Sequence, residues 1–297
     1  MIKMCSGSQE MNRHHQAGSS RQPKLTYVTP DDPLWRRSFI NCVEAVSGQK
    51  KLNNLYHQYR LIGETTGNIW ADAISHLRLT IEGLTETRST IPAKGPVVIV
   101  SNHPYGVLDG LSLCYAVSLI RRDFKFLAHS TFQKVPELEP YVLPVDFDGA
   151  SAALRSNIET KKAALKHVRD GGAIVIFPAG RVSTAKTPFG NAQDAEWKLF
   201  CGSLIQRSGA DVVPVYFKGQ NSWLFHLASL LGEAMREALL MREIVRRINS
   251  EVHGVMGDII KHAKLAEFEN RRDMLDFLRH QVYALEHRES SKPASIV

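Results

Sequence analysis

Apolar residues recur along this chain in two periods, and the places where one period gives way to the other outline the architecture. After the turn Pro30 to Pro33, Leu34, Trp35, Phe39, Cys42, Val43 and Val46 stand at helical spacing. Leu52, Leu55, Tyr56, Tyr59 and Ile62 form a second such set, and Ile69, Trp70, Ala73, Ile74 and Leu77 a third. Together they predict a helical amino-terminal region over 26–79. The stretch 77–83 alternates as a strand does. Beyond it, short runs rich in apolar residues at 95–100, 124–128, 142–145, 173–177 and 211–217 read as strands. They are interleaved with helical patterns at 111–120, 151–168, 194–208, 230–248 and 271–287. This alternation predicts an α/β fold with a mostly parallel central sheet flanked by helices on both faces. No internal repeat breaks it.

Three of the predicted strands run into turns that carry chemistry, and ligands of open α/β sheets bind beyond the carboxyl ends of strands. The first turn is Ser101-Asn102-His103-Pro104-Tyr105-Gly106-Val107-Leu108-Asp109-Gly110. A hydroxyl that attacks a thioester must lose its proton, and an imidazole oriented by a carboxylate is the usual base. A turn through Pro104, Tyr105 and Gly106 lets His103 and Asp109 converge for that task. Taken alone, the pair also fits an ordinary helix-capping turn. The second turn, Phe177 to Ser183, offers backbone amides, the charge of Arg181 and the hydroxyl of Ser183, groups suited to a phosphate or carboxylate, or simply to a basic surface. The third strand ends in the polar turn Lys218 to Ser222, and within the strand, at Val213-Pro214-Val215, a proline interrupts an apparently interior run. It reads as a bulge or edge lining a pocket, or as a plain edge strand.

Composition narrows the setting. The 297 residues suffice for a sizeable core. The four cysteines, Cys5, Cys42, Cys114 and Cys201, are widely spaced and contain no C-x-x-C pair, so they point to neither a disulfide framework nor a zinc site and fit a reducing cytosol. His14-His15 has no further ligand nearby, and no metal site is expected. The polar segment 1–25 lacks the apolar core of a signal peptide and reads as a flexible tail, as does 289–297. No run reaches the roughly 18 apolar residues of a membrane span, so membrane contact is expected to be peripheral. A net charge of +7 and a pI near 9.2 favour acidic partners without choosing among anionic lipid, phosphorylated substrate and nucleic acid. Neither a G-x-S-x-G elbow nor a G-x-x-x-x-G-K-[ST] loop is present.

In combination the turns are more specific. Asn102-His103 with Asp109, then Phe177-Pro178-x-Gly180, then Val213-Pro214-Val215 resemble, in this order, the glycerolipid acyltransferase family that includes 1-acylglycerol-3-phosphate acyltransferases. Asn102-His103-Pro104-x-Gly106-x-Leu108-Asp109-Gly110, the turn Lys218-Gly219-Gln220-Asn221-Ser222 and the helix 235–243 are most similar to its hemolysin-like or ornithine-lipid branch. The resemblance runs from about Ile69 to Glu286 and makes 80–288 the acyltransferase domain. It implies a glycerolipid acyltransferase-like fold, with His103 as general base and Asp109 as its orienting carboxylate. It further implies that Asn102, Gly106, His129, Gly180, Arg181, Ser183, Pro214 and Asn221 bind substrate. The donor would be acyl-CoA or acyl carrier protein and the acceptor a lysolipid, either a lysophospholipid or a lyso-ornithine lipid. No cofactor, metal or nucleic acid is implied. The protein would sit on the inner face of the membrane, held by its amino-terminal helices.

Two departures from the family pattern stand out. The pair is spaced H-x5-D rather than H-x4-D, as in the branch it most resembles. The family's Phe-Pro-Glu-Gly-Thr-Arg-Ser becomes Phe177-Pro178-Ala179-Gly180-Arg181-Val182-Ser183, which loses the glutamate and shifts expectation toward an unusual acceptor. Two other classes remain: a non-catalytic lipid-binding protein on this fold, and a thioesterase-like hydrolase in which water replaces the alcohol.

Overall fold

A computed structural model describes residues 48–63, 66–145 and 151–289, together with Pro33. The first predicted helix, at 34–46, both tails and His14-His15 lie outside the described residues. Two amino-terminal helices, α1 (Gln49–Ile62) and α2 (Ile69–Leu77), lead to β1 (Thr80–Glu82) and a short helix, α3 (Leu84–Thr87). The central part follows as β2 (Val97–Ser101), α4 (Val107–Ser118), β3 (Phe124–His129), β4 (Val142–Val145), α5 (Ser151–Arg169) and β5 (Ala173–Ile176). Next come α6 (Leu199–Ser208), β6 (Asp211–Phe217), α7 (Trp223–Leu231), α8 (Glu233–Arg246) and β7 (Glu251–Met256). The chain closes with α9 (His262–Leu265) and α10 (Arg271–Glu289).

Seven strands form one sheet in the order β1-β7-β6-β2-β5-β3-β4. Every adjacent pair is parallel except β6 and β7, which are antiparallel. The expected α/β architecture, a mostly parallel sheet flanked by helices, is the one observed. Alternate residues of the inner strands feed two cores. Val97, Ile99, Val175, Val213 and Val215 pack on one face with α2, α4 and the buried side of α1. Val98, Val100, Ile174 and Val212 pack on the other with α5, α6 and α10. Burial on both faces is why these strands are continuous β-branched runs. The connection from β2 crosses β5 to reach β3, and that from β5 crosses back over β2 to β6. The carboxyl ends of β2, β5 and β6 therefore meet at a topological switch point.

Several boundaries differ from the sequence pattern. The strand expected over 77–83 is only Thr80–Glu82, because Leu77 still ends a helix and Arg78 turns the chain at φ 51°. The helix expected at 111–120 begins at Val107, and the one expected at 194 begins at Leu199. The helix expected over 230–248 is Glu233–Arg246, and α7 before it was not expected. Gly232, at φ 142°, separates α7 from α8, and Ser222 caps α7 through a bond from the Phe225 N–H. Strand β7 was not expected, since Glu251, His253 and Gly254 interrupt its apolar pattern.

Pro214 is not on an edge. It lies inside β6, opposite Val100 of β2. On the other side the partner segment bulges. Val215 pairs with Met256 and Val212 with Ile260, so one extra residue stands on the β7 side, and the Pro214 carbonyl accepts the Gly257 N–H. The bulge accommodates the missing proline N–H. Pro214 does line a cavity of about 340 Å³, with Gly257, Ile259 and Lys264, but neither His103 nor Asp109 is among its walls.

At the opposite end of the sheet, Arg121 is buried and satisfied. It pairs with Asp123 at 2.7 Å and donates to the carbonyls of Pro92, Gly95 and Gly171, tying together the turns that precede β2, β3 and β5. The guanidinium holds the Asp123 carboxyl below its usual range. No sequence motif announced this knot.

Candidate active site

The Gly106 backbone, at φ 81°, makes the turn that starts α4 and carries Asp109 into the first helical turn. A side chain there would press on Leu240 and Val182, with a Cβ only 3.0 Å from the Leu240 methyl. Asp109 is fully buried. Its Oδ2 accepts the N–H groups of Tyr105 at 2.8 Å and Gly106 at 2.9 Å, and lies 3.1 Å from His103 Nδ1. The carboxylate thus caps its own helix and holds the imidazole with one oxygen. Burial pushes the Asp109 carboxyl above its ordinary value, against the pull of His103 and the two amides. A proton on Nδ1, 3.1 Å from Asp109 Oδ2, would leave the lone pair on Nε2, the tautomer a general base needs. The His103 side chain is 17% exposed, and its ring stacks on Phe177 with centroids 3.9 Å apart.

The His103 backbone is clamped independently of its ring. Its N–H donates to Asp194 Oδ1, and its carbonyl accepts the Ser183 N–H at 2.8 Å. Asp194 also accepts the Ser183 hydroxyl and, at 2.9 Å, the indole N–H of Trp197. Asp194 and the stacking role of Phe177 were missed by the sequence reading. Only the fold brings a loop acid and a strand-end ring to His103.

The other expected substrate residues divide. Arg181 is exposed on the turn after β5, next to Gly180 at φ 69°. Asn102 is buried and fully used by the scaffold: its amide donates to the Phe217 carbonyl and accepts the Phe217 N–H, stitching β2 to β6. Ser183 is likewise buried and held by Asp194, and Gly106 shapes the helix start rather than facing a ligand. In this structure all three hold the backbone around His103 in place. His129 ends β3 and is separated from β2 by β5. Asn221 is buried with both amide atoms unpartnered, beside Ser222, whose hydroxyl and N–H bond to the buried Glu243. Ala179 is 1% exposed and packs in the second core, so this position presents no side chain to an acceptor.

Glu82, Glu251 and His253 converge at the far edge of the sheet, where His253 is 2.9 Å from Glu82 and 3.3 Å from Glu251. These contacts are remote in the strand order from β2. The buried Cys114 and Cys201 are unreactive as thiols, Cys201 being pushed up to about 12 by burial.

Asp109→Asn separates charge from geometry. The amide oxygen still accepts the Tyr105 and Gly106 N–H groups, while the buried negative charge disappears. A carboxyl whose folded-state pKa is raised costs stability once pH climbs through that value and costs nothing below the unfolded-state value. The variant is therefore expected to melt no lower than the parent at neutral pH, and to lose activity by about 10²-fold or more. Thermal melts across pH together with turnover measurements check both halves.

A buried carboxylate behind a histidine at the carboxyl ends of parallel strands is an arrangement that can take up and return a proton. Residues 76–290 match the acyltransferase family, and the chain belongs to that family. A lyso-glycine lipid O-acyltransferase from Phocaeicola vulgatus is 29% identical over 160 residues, 53% of this chain and 53% of that protein. Its counterpart from Bacteroides thetaiotaomicron is 27% identical over 182 residues, 59% of this chain and 64% of that one. The chain thus spans about half to two thirds of the length of the curated relatives it matches. The crystal structure of the 1-acyl-sn-glycerophosphate (LPA) acyltransferase PlsC from Thermotoga maritima covers 88% of this chain and 91% of its own, at 14% identity and a TM-score of 0.44.

Proposed function

We propose that this protein is a lysolipid O-acyltransferase that moves a fatty acyl group from a thioester, on coenzyme A or acyl carrier protein, to the hydroxyl of a lysolipid of the amino-acid class. The observation that carries the reading is the His103–Asp109 pair, 3.1 Å apart and seated against Phe177. His103 Nε2 takes the acceptor's proton as its oxygen attacks the thioester carbonyl. Asp109 holds the resulting imidazolium, and backbone amides of the surrounding turns stabilise the tetrahedral oxyanion. Collapse expels the thiolate, which recovers the proton from His103.

The relatives' names favour a glycine headgroup, whereas the sequence pattern alone favoured ornithine. Both present a carboxylate, and the exposed Arg181 beside the site is the group to meet it. Incubating the full chain with acyl-CoA or acylated acyl carrier protein and, in parallel, lyso-glycine lipid, lyso-ornithine lipid and lysophosphatidic acid tests this by mass spectrometry. An added acyl group on the amino-acid lysolipids, favoured by about tenfold or more over lysophosphatidic acid, is expected. Thiol release at the same rate without any acceptor would show a thioesterase instead, and lipid binding without turnover a non-catalytic protein.

A further inference from the structure

Helix α7, Trp-Leu-Phe-His-Leu-Ala-Ser-Leu-Leu, carries no charged side chain over nine residues, yet only part of it is buried. Phe225, His226 and Ala228 face inward. Trp223, Leu230 and Leu231 are 52%, 52% and 66% exposed. They fall on one helical face with the half-buried Leu227 between them. Phe189, 83% exposed, extends this face: its ring stacks on Trp223 with centroids 5.7 Å apart. The loop bearing Phe189 is held in place. Thr184 and Gln193 pair at its base, and Gln220, just before α7, accepts the Ala192 N–H and donates to the Gly190 carbonyl. Large apolar side chains kept together in water on an ordered ridge mark a surface that is covered in use.

We propose that this ridge is where the protein lies on an anionic lipid bilayer. Two features choose lipid over a second copy of the chain. Segments 181–193 and 218–232, which build the ridge, contain Arg181, Lys186 and Lys218 and no Asp or Glu. All three basic residues are exposed. Two copies placed face to face would oppose like charges, whereas an anionic leaflet complements them. An aromatic and leucine face with a basic rim is the composition of an interfacial helix. Position agrees: the loop follows the carboxyl end of β5 and α7 that of β6, so the ridge stands at the end of the sheet that holds His103. Docked there, the protein takes a lysolipid acceptor from the bilayer without releasing it to water. By contrast, α1 buries Leu52 and Tyr59 and shows solvent Asn54, His57, Gln58 and Arg60, with Leu61 exposed at its end but no exposed aromatic residue beside it among the described residues, so its described surface is mostly polar.

The proposal rests on the lysolipid reading but is tested without it, by binding. Full-length protein is mixed with phosphatidylglycerol–phosphatidylcholine vesicles and sedimented. The parent is expected to co-sediment, less so as salt rises. The triple variant Phe189→Ser, Trp223→Ser, Leu231→Ser is expected to lose about tenfold or more in partitioning while still turning over a monomerically dispersed short-chain lysolipid. In a Trp35→Phe background, brominated lipid is expected to quench tryptophan emission, and the quenching is expected to vanish on adding Trp223→Phe, since Trp70 and Trp197 are buried. Equal sedimentation of parent and triple variant overturns the proposal. So does a dimer in gel filtration that the triple variant dissociates. Docking retained without any turnover on a lysolipid leaves the ridge standing and removes the lysolipid reading instead.

Discussion

Replacing His103 with alanine is expected to lower acyl transfer by about 10³-fold or more while leaving the fold in place. The two halves have separate causes. Activity falls because the only lone pair held at the end of β2 by a buried carboxylate is gone, and neither Asp109, sealed at 0% exposure, nor the exposed Arg181 supplies a base in its place. Stability is spared because the backbone of residue 103 is anchored by Asp194 and Ser183, and the Asp109 cap on Tyr105 and Gly106 does not involve the ring. The loss falls on kcat, with KM for the thioester nearly unchanged, since the imidazole acts on the acceptor's proton. Following free thiol in the presence of lysolipid, beside a circular-dichroism melt, reads both. Full activity in a folded variant removes the mechanism.

Gly219→Ala is expected to be the most damaging small substitution at the site. Gly219 has φ +105°, which side chains other than hydrogen adopt at a cost of roughly 1–3 kcal/mol. A Cβ there would also sit 1.8 Å from the Tyr105 hydroxyl oxygen and 2.9 Å from the ring carbon bearing it. Tyr105 has nowhere to retreat. Its hydroxyl donates to the Lys218 carbonyl, and the Arg247 guanidinium covers its ring at 3.8 Å. Its own N–H is bonded to Asp109, so pushing the ring away pulls on the carboxylate that orients His103. We expect a loss of about 3–5 kcal/mol in chemical denaturation and a concurrent fall in turnover. Adding Tyr105→Phe removes the clashing oxygen and should restore part of the stability. A double variant no better than Gly219→Ala alone would place the cost elsewhere.

The sheet was readable because its strands are buried on both faces. Val97 to Val100, Ile174 to Ile176 and Val212 to Val215 need no tertiary information to declare themselves. Strand β7 was not readable, because Gly254 makes room for Leu84 and Phe217 and has meaning only once they are in place. His103 and Asp109 were legible as a pair through their motif, but the scaffold bonds of the polar residues around them were not. Asn102 and Ser183 look like ligands for substrate in one dimension, yet Asn102 bonds to Phe217, 115 positions away, and Ser183 to Asp194.

From sequence alone came the alternation of strand and helix, the turn that brings a histidine and a carboxylate together, and the resemblance those residues carry. These are local properties, set by side-chain period, turn chemistry and the identity of a few neighbours. Tertiary structure alone decided which polar groups are consumed in holding the site and which are left for substrate, that Ala179 faces the core, and that Pro214 sits beside a bulge inside the sheet. It also decided that the apolar run of α7 is a surface ridge. The reason is the same in each case: burial and hydrogen-bond partnership are set by residues distant in the chain, and a linear pattern carries neither.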